Sequence, residues 1–511
     1  MDSEKVLLVS PPGRAASQRP PFALMCIASY LEKNGIPTDI IDIKGYEPKE
    51  KIAQQTLAEI KKRDADIIGT TCLTTELRET LELCRKIKIL KPEAKIIAGG
   101  IHPSLIPGEM VFGGSPIDFA VIGEGEQTFL ELVQALRKDA NIAGVRGIAW
   151  FKNSRLAKTE ARPYIKDLDA LPFPAFEKID MKFYTKPDFY CIRGIPIAGF
   201  YTYTSRGCPY RCRFCVNKNI FGRMLRFRNP KLVGEEVQIL KDKYRIDGLY
   251  VYDDTFTVNR EHVLNICREF RERKLDLIWA CETRVHLVYE DLMREMKNAG
   301  CIQIDFGVES GSQEVLDRLQ KDITVEQARN AFKICRRVGI RTFANFMLNT
   351  PEETEEDVQK TISLARELNA TVSIFNITTP FPGTDIYDEI GGVPQEDYEK
   401  MGPNPSGYET WLELIERKYR FAKHKIPFAK LVDDLSREFP NVHELSFKNP
   451  KHLAHLWNNL SFVLSPQYLR TMLRSGRKMQ YVSWIISLKK VLQAQQFIRT
   501  EAARAEEGDS E

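Results

Sequence analysis

Short apolar runs alternate with amphipathic helical patterns along two long stretches of the chain, and this alternation limits the fold more than any other feature. In the first stretch, five runs read as strands and each precedes a helical pattern; the runs are KVLLVS, TDIIDIK, ADIIGTTCL, KIIAGG and DFAVIG. Strands that alternate with helices pair as a parallel sheet with helices on both faces. The first 140 residues therefore predict a flavodoxin-like, Rossmann-type α/β domain that binds ligands beyond the carboxyl ends of its strands.

The alternation returns after residue 195 with six further runs, GFYTYTS, GLYVYDD, LIWACE, CIQIDFGVES, RTFANFML and TVSIFNIT. They predict a partial (β/α)6 barrel of the TIM type, with its site at the carboxyl ends of the strands. The segment between the two series carries the proline-rich LPFPAFEK and is predicted to be a connector with local β structure. The end of the chain is basic and helical in pattern, which predicts an α-helical C-terminal domain. The predicted boundaries are 1–140, 141–195, 196–400 and 401–511.

The composition excludes several classes of protein. Lys and Arg number 74 against 70 Asp and Glu, and a net charge of +4 gives no reason to expect nucleic acid as a partner. No run approaches the roughly 18 apolar residues that span a bilayer. The first apolar run, Val6 to Val9, is shorter than the roughly 7–15 residues of a secretory signal. The 11 cysteines, an odd number without a signal, indicate free thiols in a reducing compartment, so we expect a cytoplasmic protein.

Three cysteines are spaced for chemistry rather than for packing. Cys208, Cys212 and Cys215 lie within eight residues, directly after the run GFYTYTS. Thiolates are soft ligands that favour iron–sulfur clusters or zinc. Three ligands on a four-iron cluster would leave one iron open to a substrate, whereas a structural zinc site needs a fourth ligand. No further Cys or His follows within the usual spacing, so the pattern favours a cluster over zinc.

The C-x3-C-x2-C pattern on a loop after the first barrel strand resembles that of the radical S-adenosylmethionine (radical SAM) enzymes. The resemblance implies that Cys208, Cys212 and Cys215 hold a [4Fe-4S] cluster whose open iron is chelated by SAM. The reduced cluster then cleaves SAM to methionine and a 5′-deoxyadenosyl radical. A one-electron reductant of the flavodoxin or ferredoxin type is implied as a partner.

Other motifs at the predicted strand ends are similar to that family. They are YDDTF, the pair Glu282 and Arg284, GVESG, and PFPGT after the sixth strand. The resemblance implies a SAM site that contains Phe214, Asp253, Asp254, Glu282, Arg284, Glu309 and Ser310. One motif departs from the family: FMLNTPEET stands where relatives usually have Gly-x-Pro-Gly, so the fifth-strand loop is expected to contact SAM differently.

The N-terminal domain resembles the cobalamin-binding domain of the B12-dependent radical SAM proteins, through AGGIHPS and VIGEGE. Paired glycines after a strand let a bulky group approach the backbone closely. The resemblance implies cobalamin contacts from Thr71, Leu73, Gly99, Gly100, His102, Gly123, Glu124 and Gly125. The Asp-x-His-x-x-Gly motif of other cobalamin domains would follow the first strand, where SPPGRAAS has no histidine. Cobalamin bound without a protein imidazole is therefore expected.

The implied function is methylation of an unactivated carbon of a small-molecule or lipid-like substrate, with SAM as the source of both the radical and the methyl group. Several alternatives stay open. They are a B12-dependent cyclase or mutase, a methylthiotransferase with a second cluster on Cys26, Cys72 and Cys84, a cofactor sensor and a zinc scaffold. For the basic, aromatic C-terminal residues, two interpretations remain: helices packed on the barrel, or peripheral contact with a membrane.

Overall fold

The computed structural model describes residues 5–14, 19–45, 47–401, 405–439, 465–475 and 481. The strands are β1 Val6–Val9, β2 Thr38–Ile41, β3 Ile67–Thr71, β4 Lys95–Gly99, β5 Phe119–Val121, β6 Ile148–Lys152, β7 Arg155–Lys158, β8 Pro187–Ile192, β9 Ile195–Thr202, β10 Ser205–Arg206, β11 Arg226–Phe227, β12 Gly248–Val251, β13 Ile278–Thr283, β14 Cys301–Glu309, β15 Arg341–Leu348 and β16 Val372–Ile377. The helices are α1 Phe22–Lys33, α2 Lys49–Lys61, α3 Leu77–Leu90, α4 Ile101–Leu105, α5 Gly125–Arg137, α6 Met181–Tyr184, α7 Pro230–Tyr244, α8 Arg260–Glu272, α9 Glu290–Asn298, α10 Gln313–Arg318, α11 Val325–Val338, α12 Glu355–Leu368, α13 Asp385–Glu389, α14 Pro405–Arg417, α15 Phe428–Glu438 and α16 Pro466–Arg474.

The N-terminal sheet has the strand order β2-β1-β3-β4-β5-β6-β7. Strands β1 to β5 are parallel and correspond to the five predicted runs. Every residue of β1 is buried, because a central parallel strand is covered by helices on both faces. The order 2-1-3-4-5 of these strands is the flavodoxin-like one, so the predicted fold class is confirmed.

The second sheet has the order β16-β15-β14-β13-β12-β9-β8. Six of its strands, β9 and β12 to β16, are parallel and confirm the predicted partial barrel. Strand β14 shows how the interior is built: Ile304 and Phe306 pack outward into the main core, whereas Gln303 and Asp305 alternate with them. Because side chains alternate between the two faces of a strand, these polar residues belong to the barrel interior.

The predicted connector, residues 141–195, contributes to both sheets. Strands β6 and β7 form an antiparallel hairpin that extends the N-terminal sheet beyond β5. Strand β8 pairs antiparallel with β9 at the edge of the barrel sheet. The segment thus supplies strands to the two sheets that it joins.

The carboxyl ends of the two sheets face each other. The ring of Phe22, which begins α1 after the first strand, lies 5.8 Å from the ring of Tyr203, which follows β9. A second contact between the two halves is made by Gly383, which follows β16, since a Cβ on this residue would lie 2.5 Å from Leu105 of α4. Both sheets therefore turn the edge at which α/β folds bind ligands toward a common space.

The described C-terminal helices pack against the barrel. Phe439, which follows α15, lies with its ring 5.3 Å from that of Phe375 in β16. At the amino-terminal ends of β9 and β12, Tyr468 of α16 donates to the Pro196 carbonyl at 2.6 Å, and Tyr481 donates to Asp247 at 2.8 Å. The remainder of the predicted C-terminal domain lies outside the described residues. Within the part of the chain that the structure describes, no helix has the length and apolar character needed to cross a membrane.

Candidate active site

The three cysteines lie on one loop that a two-stranded ribbon frames. Strands β10 and β11 pair antiparallel on either side of the loop, which leaves the carboxyl end of β9. Inside it, the Cys208 amide donates to the Gly222 carbonyl at 3.2 Å, and the Cys215 amide donates to the Cys212 carbonyl at 3.1 Å. These bonds gather the loop at the carboxyl edge of the barrel, where the spacing of the cysteines predicted a site.

Burial of the cysteine loop disfavours the charged form of its thiols. Burial raises the pKa of Cys215 to about 11 and raises that of Cys208 above its ordinary value, so neither thiolate forms readily without iron or another cation nearby. All three thiols are free. Among the described residues, no group of three or more His, Cys, Asp or Glu is placed to hold a single metal ion. In a four-iron cluster each thiolate binds its own iron, and soft sulfur ligands suit that group.

Arg284 joins the end of β13 to the cysteine loop. Its Nη1 donates to the sulfur of Cys212 at 3.3 Å, and its guanidinium lies 3.7 Å from the centre of the Tyr210 ring. The Tyr210 hydroxyl in turn contacts His286 at 2.8 Å. Arg284 is buried, and its Nε and Nη2 have no hydrogen-bond partner among the described residues. Two buried donors beside a cysteine sulfur suit an anionic ligand, such as the carboxylate of SAM.

The two aspartates at the end of β12 differ in what they contact. Asp253 accepts hydrogen bonds from the amides and hydroxyls of Thr204 and Ser205, at 2.6 to 3.2 Å, so both its oxygens are engaged in the turn that leads to the cysteine loop. Asp254 is half-buried and accepts from Asn217. Burial, with the charge of Asp253 as a second cause, raises the pKa of Asp254 to about 6.

Glu282, which the sequence predicted as a site residue, belongs to a polar cluster in the barrel interior. The other members of this cluster were not predicted. Tyr250 donates to Glu282 at 2.9 Å and to Asp305 at 3.1 Å. Asp305 also accepts from Gln303 at 2.9 Å and lies 3.7 Å from Arg193. The alternation of polar and apolar residues in CIQIDFGVE was the signal that could have identified these inward-facing side chains.

The other predicted SAM residues are Glu309 and Ser310, at the end of β14, and Phe214, on the cysteine loop. Glu309 has a φ of 68° and accepts from Lys321 at 2.7 Å, both side chains being buried. The Lys321 ammonium lies 5.6 Å from the centre of the Phe214 ring. Ser310 is fully buried and contacts Thr361 at 3.0 Å. Phe214 and Glu309 therefore both lie near Lys321, whereas the Ser310 hydroxyl is engaged with Thr361.

The glycines at the carboxyl edge of the N-terminal sheet divide into two kinds. A Cβ on Gly123 would meet nothing within 4 Å, and one on Gly99 would meet only Val121 at 3.9 Å. In contrast, a Cβ on Gly100 would lie 2.5 Å from the Thr71 hydroxyl, and one on Gly125 would lie 3.0 Å from Ile27. The open pair fits a bulky ligand that approaches the backbone, whereas the other two glycines allow close packing within the protein.

The other predicted cobalamin residues are engaged inside the protein to different degrees. His102 is fully buried, with Nδ1 3.2 Å from the Thr74 hydroxyl and Nε2 3.3 Å from Glu109. Both oxygens of Glu124 accept hydrogen bonds from other protein groups. Thr71 is buried at the end of β3, whereas Leu73 is half-buried. The one predicted histidine, His102, is therefore engaged inside the protein and is not presented to a ligand at this edge.

Comparisons with known proteins agree with this geometry. The family model of the radical SAM superfamily matches residues 202–365, and that of the B12 binding domain matches residues 13–133. An uncharacterised methyltransferase of Pyrococcus horikoshii is 33% identical over 392 residues, which cover 75% of this chain and 82% of that protein. An anaerobic magnesium-protoporphyrin IX monomethyl ester cyclase of Rubrivivax gelatinosus is 29% identical over 419 residues, 79% of this chain and 74% of the cyclase. The structure of the radical S-adenosylmethionine methyltransferase TsrM of Kitasatospora setae, with cobalamin and a [4Fe-4S] cluster bound, aligns with a TM-score of 0.63 at 21% identity over 76% of each chain.

Proposed function

Because the chain belongs to the family of cobalamin-binding radical SAM enzymes, we propose that it methylates an unactivated carbon of a small molecule. The observation that carries the proposal is the meeting of two ligand-binding edges, one with three cysteines on a loop and the other with open glycines. When bound, the cluster and SAM supply a carbon radical, and cobalamin supplies the methyl group. The residues of the chain bind and orient these groups in the space between the sheets.

We assign the residues of the barrel edge according to their contacts. Cys208, Cys212 and Cys215 hold the cluster, and Arg284 stabilises it through the sulfur of Cys212 while offering two donors to SAM. Phe214, Asp254, Glu282 and Glu309 remain our proposed SAM contacts. Asp253 and Ser310 support the loops behind them, because their polar atoms are already engaged in the protein.

At the N-terminal edge, we propose that Gly99 and Gly123 lie against cobalamin, with Leu73 and Thr71 nearby. Gly100, Gly125 and His102 shape the loops that carry them. In this arrangement residues 1–140, extended by the β6–β7 hairpin, form the cobalamin-binding unit. Residues 196–400, extended by β8, form the radical SAM unit.

The barrel interior offers a surface for the substrate. The rings of Tyr201, Tyr250 and Tyr252 lie 6.1 to 6.2 Å apart, and Tyr252 is 53% exposed. Aromatic side chains beside a few buried polar groups suit a small molecule with a flat or apolar part. A lipid-like substrate remains our narrower proposal, as do a flavodoxin- or ferredoxin-type reductant and a cytoplasmic location. The location is supported by the 11 cysteines, none of which forms a disulfide in the part of the chain that the structure describes.

The first experiment is the metal content of the full chain after anaerobic reconstitution with iron, sulfide and hydroxocobalamin. We expect about four irons per chain from one cluster and about one cobalt. Iron without cobalt would contradict the methyltransferase proposal but keep the radical SAM assignment. Colourless protein without iron would contradict both.

Ring formation is the second candidate, favoured by the match to the Rubrivivax gelatinosus cyclase. The two functions differ in what SAM leaves behind. Methyl transfer releases S-adenosylhomocysteine in addition to methionine and 5′-deoxyadenosine, whereas a cyclase that only starts a radical releases methionine and 5′-deoxyadenosine without S-adenosylhomocysteine. Release of S-adenosylhomocysteine by the reduced holoenzyme would support methylation, and its absence would favour ring formation.

A further inference from the structure

Two arginines at the base of the cysteine loop are joined to two glutamates of the N-terminal domain, at the start of α5. Arg206 donates to Glu124 at 3.0 Å and to Glu126 at 2.6 Å. Arg226 donates to both oxygens of Glu124, at 2.7 and 2.9 Å. The two arginines face each other in the β10–β11 ribbon, so both stand where the cysteine loop begins and ends. We call these four side chains the cross-domain clamp.

The cross-domain clamp is withdrawn from water. The side chains of Arg206 and Arg226 are 9% and 3% exposed, and those of Glu124 and Glu126 are 3% and 6% exposed. Buried charges are costly unless they are paired and hydrogen-bonded, and here two cations meet two anions. The ring of Tyr203 lies 5.1 Å from the Arg206 guanidinium, and that of Tyr164 lies 5.1 Å from the Arg226 guanidinium, which adds cation–π contact.

The electrostatics of Glu126 agree with a tight pair. Burial opposes ionisation of this carboxyl, but the charge and hydrogen bond of Arg206 outweigh it and hold the pKa of Glu126 below its ordinary value. Glu126 also lies in the first turn of α5, where the helix dipole favours an anion. The pair therefore stays charged across the physiological range of pH.

We propose that the cross-domain clamp positions the cysteine loop against the cobalamin edge and so aligns the two halves of the active site for methyl transfer. This inference rests on the proposed function. The clamp gives the GEGE motif a role other than cofactor contact, since Glu124 and Glu126 bind arginines rather than face a ligand. The four are positioning residues: they act through the loop that they fix.

The test compares Glu126→Gln with the double variant Glu126→Gln, Arg206→Gln in the full chain. The double variant removes both charges, so it leaves no unpaired ion if the single variant folds poorly. We expect iron and cobalt contents close to those of the wild type. The ratio of S-adenosylhomocysteine to 5′-deoxyadenosine, released from SAM with a chemical reductant and hydroxocobalamin, should fall about tenfold or more, because a small misplacement of reacting groups is costly.

The matched control is Arg228→Gln. Arg228 follows β11 and pairs with Glu236 of α7 at 2.7 Å, and both side chains are as buried as the clamp, but this pair stays within the barrel. The control should keep the wild-type product ratio. An unchanged ratio in the clamp variants, or an equal fall in Arg228→Gln, would overturn the proposal.

A second readout separates this inference from the proposed function. If the wild type releases no S-adenosylhomocysteine, the function is wrong, and the clamp is judged by electron paramagnetic resonance. Relaxation of the cobalt signal by the reduced cluster should be faster in the wild type than in the double variant. Equal relaxation would show that the clamp does not set the distance between the cofactors.

Discussion

At the scale of the residue, the site depends on side chains that contact the cysteine loop from neighbouring strands. Arg284 illustrates this, since it follows β13 in the chain but donates to the sulfur of Cys212. A cation that donates to a cluster ligand stabilises the extra electron of the reduced cluster. With Cys212 as a ligand of the cluster, as we propose, Arg284 would make it easier for the cluster to accept an electron.

We expect Arg284→Gln to make the reduction potential of the cluster more negative. If the contact is worth a factor of ten in the reduction equilibrium, the shift is about 60 mV for a one-electron couple. A potentiometric titration followed by electron paramagnetic resonance measures it. Arg213→Gln is the control, because Arg213 lies on the same loop but donates to the Arg318 carbonyl at 2.9 Å. Equal potentials in the wild type and Arg284→Gln would contradict the assignment.

Asp305 makes the stability of the protein depend on pH. Burial raises its pKa to about 6, with Arg193 opposing the rise and Glu282 adding to it. The folded state therefore holds this proton more tightly than the unfolded state, so the contribution to stability is complete below about pH 4 and is lost as the pH rises through about 6.

We expect Asp305→Asn to abolish this loss. Relative to the wild type, the variant should gain up to about 3 kcal/mol in the free energy of unfolding between pH 4 and pH 7, since each pKa unit corresponds to 1.36 kcal/mol. Urea unfolding of the cofactor-free protein at both pH values measures the difference. A difference that does not change with pH would show that Asp305 is ionised at an ordinary pKa.

At the scale of the element, polar residues at the strand ends of the barrel hold other segments of the chain in place. The end of β12 does this through Asp253, which binds the turn at Thr204 and Ser205. The end of β15 does it through Asn349, which accepts from the amides of Phe421 and Ala422. The loop that departs from the family pattern thus anchors a C-terminal segment.

We expect Asp253→Ala to lower the iron content to roughly half or less, because it leaves two buried amides and two hydroxyls without their acceptor. Cobalamin binding should persist, since the N-terminal edge is untouched. Asp247→Ala is the control, as Asp247 precedes the same strand and binds Tyr481 at the far end of the barrel. Normal iron content in Asp253→Ala would show that this carboxylate is not needed to hold the cysteine loop in place.

Elements with strong periodicity could be predicted from the sequence, whereas those made by tertiary contact could not. The strands of both parallel series were found because they are apolar runs that the helices bury. Strand β7, Arg155–Lys158, has no buried residue and forms only because it pairs with β6. In the site, the three cysteines are close in the chain, so their spacing predicts a shared ligand. Glu124 and Arg206 are 82 residues apart, and no local pattern joins them.

At the scale of the whole molecule, the interface between the sheets includes the PFPGT loop. Gly383 has a φ of +79°, and the space beside it is filled by Leu105 of α4 and by Asn219 of the cysteine loop. The Asn219 amide also donates to the Gly383 carbonyl at 2.6 Å. One glycine therefore touches both halves of the proposed active site.

We expect Gly383→Ala to lower both stability and cobalamin affinity. Gly391→Ala is the matched control, because its φ of +72° is similar but a Cβ there meets nothing within 4 Å. The control should cost only the left-handed conformation, roughly 1–2 kcal/mol. The clash at Gly383 should add roughly 1–3 kcal/mol more by urea unfolding. Equal losses in the free energy of unfolding would mean that the residues around Gly383 move apart to accommodate the added methyl group at no cost.

The six parallel strands of the barrel have a consequence for how the protein can be re-engineered. A closed eight-stranded barrel has a radius set by strand number and tilt, and side chains fill its interior. Six parallel strands form an open arc, so their number and tilt do not fix the width of the interior. That width also depends on the segments that cover the open side of the arc. Acceptors of a new size could then be admitted by reshaping the covering segments, with the strands and the cysteine loop left as they are.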